Sequence, residues 1–283
     1  MTAQQWIALA IQASIMLSVF AFGLACSMGD LLYVLRRPAR LLRSLAAMFL
    51  IMPVVAIGLV KLFELHHAVQ IVLVALALSP VPPLLVKKGT KASGEQSPVM
   101  GLLVAMALLS ILIVPIGVSL VGPLFDQSFK VPPAAVAAVV AKSVLAPLAL
   151  GMLARWAMPN AADRVARPAA VIALVVLVVA GLVILYASLP AIRAQLGDGT
   201  VFALLAFIVV GIAAGHWLGG PDPGDRAGLA LSSASRNPGI AMAMASLNFP
   251  GEPGVGATIL LYLLLNVVVS LPYVHWQRTR RGG

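Results

Sequence analysis

Arg236 and Asn237, followed at once by Pro238, sit in the middle of an otherwise apolar stretch from Ala227 to Asn248. A guanidinium is permanently charged, offers five N–H donors and no acceptor, and grips a carboxylate in two-point fashion. Such a charge is costly in hydrocarbon, so its presence inside a span points to function. Ser232, Ser235 and Asn237 would add hydrogen bonds to an anionic group. A second cluster, Ser79-Pro80-Val81-Pro82-Pro83, interrupts the stretch from Leu76 to Lys88. Proline removes an N–H and clashes with the preceding turn, so both stretches are expected to be broken helices. N–H groups freed around Pro82, Pro83 and Pro238 would be further donors, and half-helix N-termini would aim positive dipole ends at one gap. Ser79 belongs to the same set. Lys87 and Lys88 would line its inner exit, although with Lys91 they read first as interfacial anchors. The chemistry expected of these residues is the binding of a small organic anion.

Snorkelling of Arg236 to the membrane surface is the competing reading. It sits about ten residues past Arg226, roughly 15 Å along a helix, which is too far for one side chain to span. Other chemistries find little support. No paired carboxylates, nucleophile motif, metal-ligand cluster or credible phosphate loop is present, so neither an enzyme nor a bound metal or cofactor is expected. Cys26 is the single cysteine and lies in the first apolar run, where it reads as a small buried residue.

The elements that must position these residues are spanning helices. The chain of 283 residues is 61% hydrophobic and 10% charged, with apolar runs of about 20 residues along its whole length. A net charge of +10 would suggest nucleic acid in a soluble protein. Here the basic residues read as anchors at the bilayer surface, and no nucleic-acid partner is expected. About nine spans can be drawn: Trp6–Met28, Leu41–Phe63, Ala68–Lys88, Pro98–Leu120, Pro132–Ala157, Pro168–Ala187, Val201–Leu218, Gly228–Leu247 and Val255–Trp276. The first is too long for a signal-peptide core and is expected to be retained. One side of the membrane then holds Arg36, Arg37, Arg40 and Arg43, Lys87, Lys88 and Lys91, Arg155, Arg164 and Arg167, Arg226, and Arg278, Arg280 and Arg281. The other holds Lys61, Lys130 and Arg193. The positive-inside rule places the N-terminus outside and the C-terminus in the cytoplasm. Lys142 and Arg236 fall inside spans, whereas all 9 acidic residues lie in or near loops. The third span should run inward and the eighth outward. Two broken helices of opposite direction fit an inverted-topology repeat, and such a pair points to a secondary-transporter site near the midplane. Either proline site alone would read as an ordinary kink; their matched positions favour breaks.

At these residues the chain resembles the bile acid:sodium symporter family and, more broadly, the superfamily that includes plant auxin efflux carriers. The resemblance runs from Trp6 through Phe22-Gly23-Leu24 to Asp30, then Phe49-Leu50-Ile51-Met52-Pro53 and Ser79-Pro80. It continues with Gly94-Glu95, Pro115, Lys142 to Gly151, and Arg236-Asn237-Pro238-Gly239. It implies a single all-α transporter domain over residues 1–283 in a bacterial inner membrane, lacking the first of the usual ten helices. A panel would comprise residues 6–28, 132–157 and 168–187. A core would comprise 41–63, 68–88, 98–120, 201–218, 228–247 and 255–276, with the two broken helices crossing. Substrate would bind between panel and core, and alternating access would come from movement between them.

The chain departs from the family where sodium binds. The positions of the family's sodium ligands fall on Met48, Leu85, Val86, Val99, Leu103, Ser232 and Arg236, while Asn237 is kept. Leu, Val and Met offer sodium no side-chain oxygen. A sodium ion 4 Å from Arg236 would be repelled by about 4 kcal/mol even at an effective dielectric of 20. The expectation is therefore a sodium-independent carrier of a carboxylate-type anion, by uniport or exchange, with Arg236 replacing the sodium charge. Lys142 reads as structural or panel-facing, and His216 as a weak candidate for carrying a proton. Two alternatives stay open. One is a sodium symporter using Ser232, Asn237 and backbone carbonyls; the other is a receptor or regulatory protein on a transporter fold. Substrate identity and oligomeric state are not legible.

Overall fold

The computed structural model describes residues 3–83, 85–94, 96–125 and 131–282. Among these residues every regular element is helical. In chain order they are α1 (Ala3–Ala25), α2 (Met28–Leu32), α3 (Pro38–Leu45), α4 (Met52–Leu62), α5 (His67–Leu78), α6 (Leu85–Ser93) and α7 (Ser97–Val121). The second part holds α8 (Pro133–Val140), α9 (Ala146–Ala157), α10 (Pro159–Ala194), α11 (Thr200–Leu218), α12 (Pro223–Ala234), α13 (Pro238–Asn248) and α14 (Val255–Gly282). Two π-helical segments, Ala46–Ile51 and Ala141–Leu145, join α3 to α4 and α8 to α9 without ending the rod. Proline opens α3, α8, α10, α12 and α13, where its missing N–H leaves no bond unmade.

Six helices among the described residues are long and apolar enough to cross a membrane: Pro38–Leu62, Ser97–Val121, Pro133–Ala157, Pro159–Ala194, Thr200–Leu218 and Val255–Arg280. The sequence predicts about nine spans, and the difference has local causes. The third and eighth are each split by proline, into α5 and α6 and into α12 and α13. The first holds its apolar helix over Leu9–Ala25. The sixth is longer than predicted, because Pro168 sits inside the 36-residue α10 instead of starting it. Lys130, expected on the outer side, and Glu95 lie outside the described residues.

Helix α1 packs along α9 and α10. Gly23 and Gly151 face each other there, and a Cβ on either would run into the other helix's backbone. Across the molecule, Gly211 and Gly215 on α11 let the backbone of α12 approach at Ala234 and Ala230. Small residues at helix contacts are how apolar rods pack closely when lipid supplies no hydrophobic drive. Helix α12 is thereby sunk in the interior, with every residue from Ala227 to Ala234 buried. Around it lie Met48, Met52, Leu76, Leu103, Phe207 and Tyr262, all fully buried. Val171, Ile172, Val175, Val179 and Leu182 on α10, and Leu112, Ile116 and Leu120 on α7, are exposed. Apolar bands of this extent suit a hydrocarbon solvent.

Candidate functional site

The two proline-broken segments meet. Helix α13 packs on α5, and α12 packs on α6, so each half of one broken stretch lies against a half of the other. At the junction the Asn237 N–H donates to the Pro80 carbonyl at 2.9 Å. Backbone accounting around the second break is nearly complete, as burial demands. The Ser235 N–H returns to the Leu231 carbonyl. The Arg236 N–H donates to the Tyr262 hydroxyl at 2.7 Å, and that hydroxyl donates onward to the Ala234 carbonyl. The Asn237 Oδ1 caps α13 by accepting from the Gly239 and Ile240 N–H groups. The donors expected to be freed around Pro238 are thus already taken. At the first break, the Leu85 and Val86 N–H groups return to the Pro82 and Pro83 carbonyls, and Ser79 Oγ donates to Leu76.

Arg236 is fully buried. Its Nε donates to the Leu76 carbonyl at 2.9 Å, and its Nη2 to the carbonyls of Met48, at 2.8 Å, and of Ala77. Leu76 and Ala77 belong to the last turn of α5, where helical carbonyls lack intrahelical partners and the dipole is negative. Met48 lies in the first π-helical segment. An i→i+5 bond to its carbonyl would need the N–H of Pro53, which does not exist. Three main-chain carbonyls at two local irregularities therefore converge on one cation, that of Leu76 also accepting from the Ser79 N–H and Oγ. The Phe49 ring lies 5.5 Å from the guanidinium carbon. Nη1 is buried and has no hydrogen-bond partner among the described residues.

The other positions that the family resemblance matched to sodium ligands are closed, and all but Ser232 are apolar. Met48, Leu85, Val86, Val99 and Leu103 are buried within the same packed core. Ser232 is buried too, its Oγ unpartnered. Lys88 reaches Asn266 Oδ1 at 3.0 Å, and Ser235 Oγ donates to the same oxygen at 3.1 Å. This ties α6, the second break and α14 together. The side chain of Lys87 lies outside the described residues, and Lys91 is exposed.

Beside the junction lies a cavity of about 310 Å³. Ile11, Gln12, Ile15 and Met16 of α1 and Val139, Lys142 and Ser143 of the α8–α9 rod form one wall. Pro82, Pro83, Asn237, Pro238 and Gly239 form the other. Of the predicted binding residues, Pro82, Pro83, Asn237 and Pro238 line this space. Arg236, Ser235, Ser232, Ser79 and Lys88 do not. Lys142, read from sequence as structural or panel-facing, does. The signal that could have found it is a lone lysine mid-span with no carboxylate to pair with. His216 pairs with the Tyr273 hydroxyl at 2.8 Å and also lies away from the cavity.

A family model described as Sodium Bile acid symporter family matches residues 13–193. A search of curated proteins found no match.

Proposed function

The chain belongs to the sodium bile acid symporter family of membrane transporters, and from that premise we propose that it moves a small organic anion without sodium. The observation that carries this reading is the guanidinium of Arg236, held in a fully buried position by the carbonyls of Leu76, Ala77 and Met48. Backbone carbonyls at the end of a half-helix are a cation site in transporters of this architecture. Here the cation is covalent. Arg236 keeps its charge at any physiological pH and cannot leave, so the pocket stays electropositive through the whole cycle. Leu85, Val86, Val99 and Leu103 remove the side-chain oxygens that a sodium ion requires.

The remaining architecture follows the family plan in this reading. About nine spans form an inverted repeat in which the split helices cross. The layer of α1, α8–α9 and α10 is the panel, and the rest is the core. The substrate sits in the cavity between them, and rocking of one against the other gives alternating access by uniport or exchange. The N-terminus is outside and the C-terminus cytoplasmic, in a bacterial inner membrane, and no enzymatic step is involved.

Two measurements test the sodium claim. Thermal stability of the purified protein should be the same in NaCl and in KCl of equal ionic strength. Uptake of organic anions into proteoliposomes should not respond to an imposed sodium gradient. Selective stabilisation by sodium, or gradient-driven uptake, would overturn the reading in favour of a symporter with non-standard ligands.

A further inference from the structure

We infer that Lys142, and not Arg236, is the residue that reads the substrate's negative charge. This rests on the organic-anion reading above and names the group that enforces it. Arg236 has no surface in the cavity, and its Nε and Nη2 are occupied by main-chain carbonyls. Lys142 is exposed to the cavity and has no hydrogen-bond or ion-pair partner among the described residues. An ammonium left without a counter-ion at membrane depth is an unmet electrostatic demand.

The surroundings specify what meets it. Among the described residues no acidic one lines the cavity, and the polar side chains there besides Lys142 are Gln12, Ser143 and Asn237. Asn237 is only 6% exposed. Its Oδ1 is fixed by two backbone N–H groups, so its Nδ2 is turned to other use, and no protein acceptor takes it among the described residues. Lys142 on one wall and Asn237 on the other thus present free donors to one space. Ser143 Oγ already donates to the Val139 carbonyl, which leaves it an acceptor. Lys142 stands in a π-helical segment, and such single-turn widenings re-aim a side chain out of the regular helical register. The ligand class is a monoanion with a compact apolar body. Its charged end bridges Lys142 of one layer and Asn237 of the other.

The test uses the full chain purified in detergent and a matched probe set. Monocarboxylates graded from acetate to 1-naphthoate are each paired with their neutral carboxamide, and affinities are measured by calorimetry. The wild type should prefer carboxylates over amides. Lys142→Gln should lose that preference by about 10- to 100-fold, the worth of one charge-assisted hydrogen bond, with its melting temperature unchanged. Lys142→Arg should keep the preference, and Arg236→Lys should keep it whatever happens to stability. A folded Lys142→Gln protein with the wild-type preference overturns the assignment while leaving the anion reading intact. Loss of preference in Arg236→Lys alone overturns it as well. A wild type that binds none of the carboxylates, or binds acid and amide alike, defeats the anion reading itself.

Discussion

Arg236 and Lys142 are both cations placed by the sequence inside apolar spans, yet the fold treats them in opposite ways. Arg236 is sealed in, with three carbonyls around it and a tyrosine hydroxyl on its backbone N–H. Lys142 stands exposed in a cavity with no partner among the described residues. The lesson is that charge at membrane depth does not by itself mark a binding group. A cation sealed from the cavity, with all but one of its guanidinium nitrogens bonded to main-chain carbonyls, serves the framework, and one that faces the cavity unpaired is available to a ligand.

The largest effect should come from emptying the sealed site. Arg236→Leu takes a donor from each of three buried carbonyls, that of Leu76 keeping those of Ser79, and a loss of about 3–5 kcal/mol is expected, seen as a large drop in melting temperature. A protein of unchanged stability would break the contrast. Next comes Lys142→Gln, for which stability should stay within about 0.5 kcal/mol of wild type, as for surface changes. Carboxylate binding should fall in the same variant by the factor given above. Tyr262→Phe sharpens the picture of the sealed side. It leaves the buried Arg236 N–H without an acceptor at a cost of about 1–3 kcal/mol, measurable by thermal unfolding, while carboxylate binding is spared.

The smallest effect belongs to a charge at the edge of the first span. Burial opposes ionisation of Asp30, but hydrogen bonds from Ser97 and Ser27 outweigh it and hold its carboxyl below the ordinary 3.8. A depressed folded value means the stabilisation is present above pH 3.8 and is lost as pH falls through the folded value beneath it. Asp30→Asn should therefore cost under about 1 kcal/mol at neutral pH. Its melting temperature should converge with wild type in strongly acidic buffer.

Much of this was legible in the residues. The apolar runs announced the rods, and Pro80, Pro82, Pro83 and Pro238 announced the two breaks and their meeting. Arg236 stood out as a buried charge. What could not be read was which way donors would turn. The carbonyls of Leu76 and Ala77 reach Arg236 from the point where α5 stops, and that of Met48 from a π turn that runs into Pro53. Main-chain acceptors leave no trace in residue type. How Lys142 would face was not legible for a related reason. Whether a mid-helix lysine faces lipid, protein or a cavity depends on helical phase, and the π segment at Ala141–Leu145 shifts that phase.

The three-carbonyl cage around Arg236 also constrains how this protein could change over generations. A single mutation to a neutral residue takes a donor from each of those carbonyls, and on the proposed reading it creates no sodium site while Leu85, Val86, Val99 and Leu103 stay apolar. Under the proposed function, gaining such a site would take several substitutions at buried positions. On that reading the cage acts as a ratchet, and the cavity beside it is easier to reshape than the arginine is to dislodge.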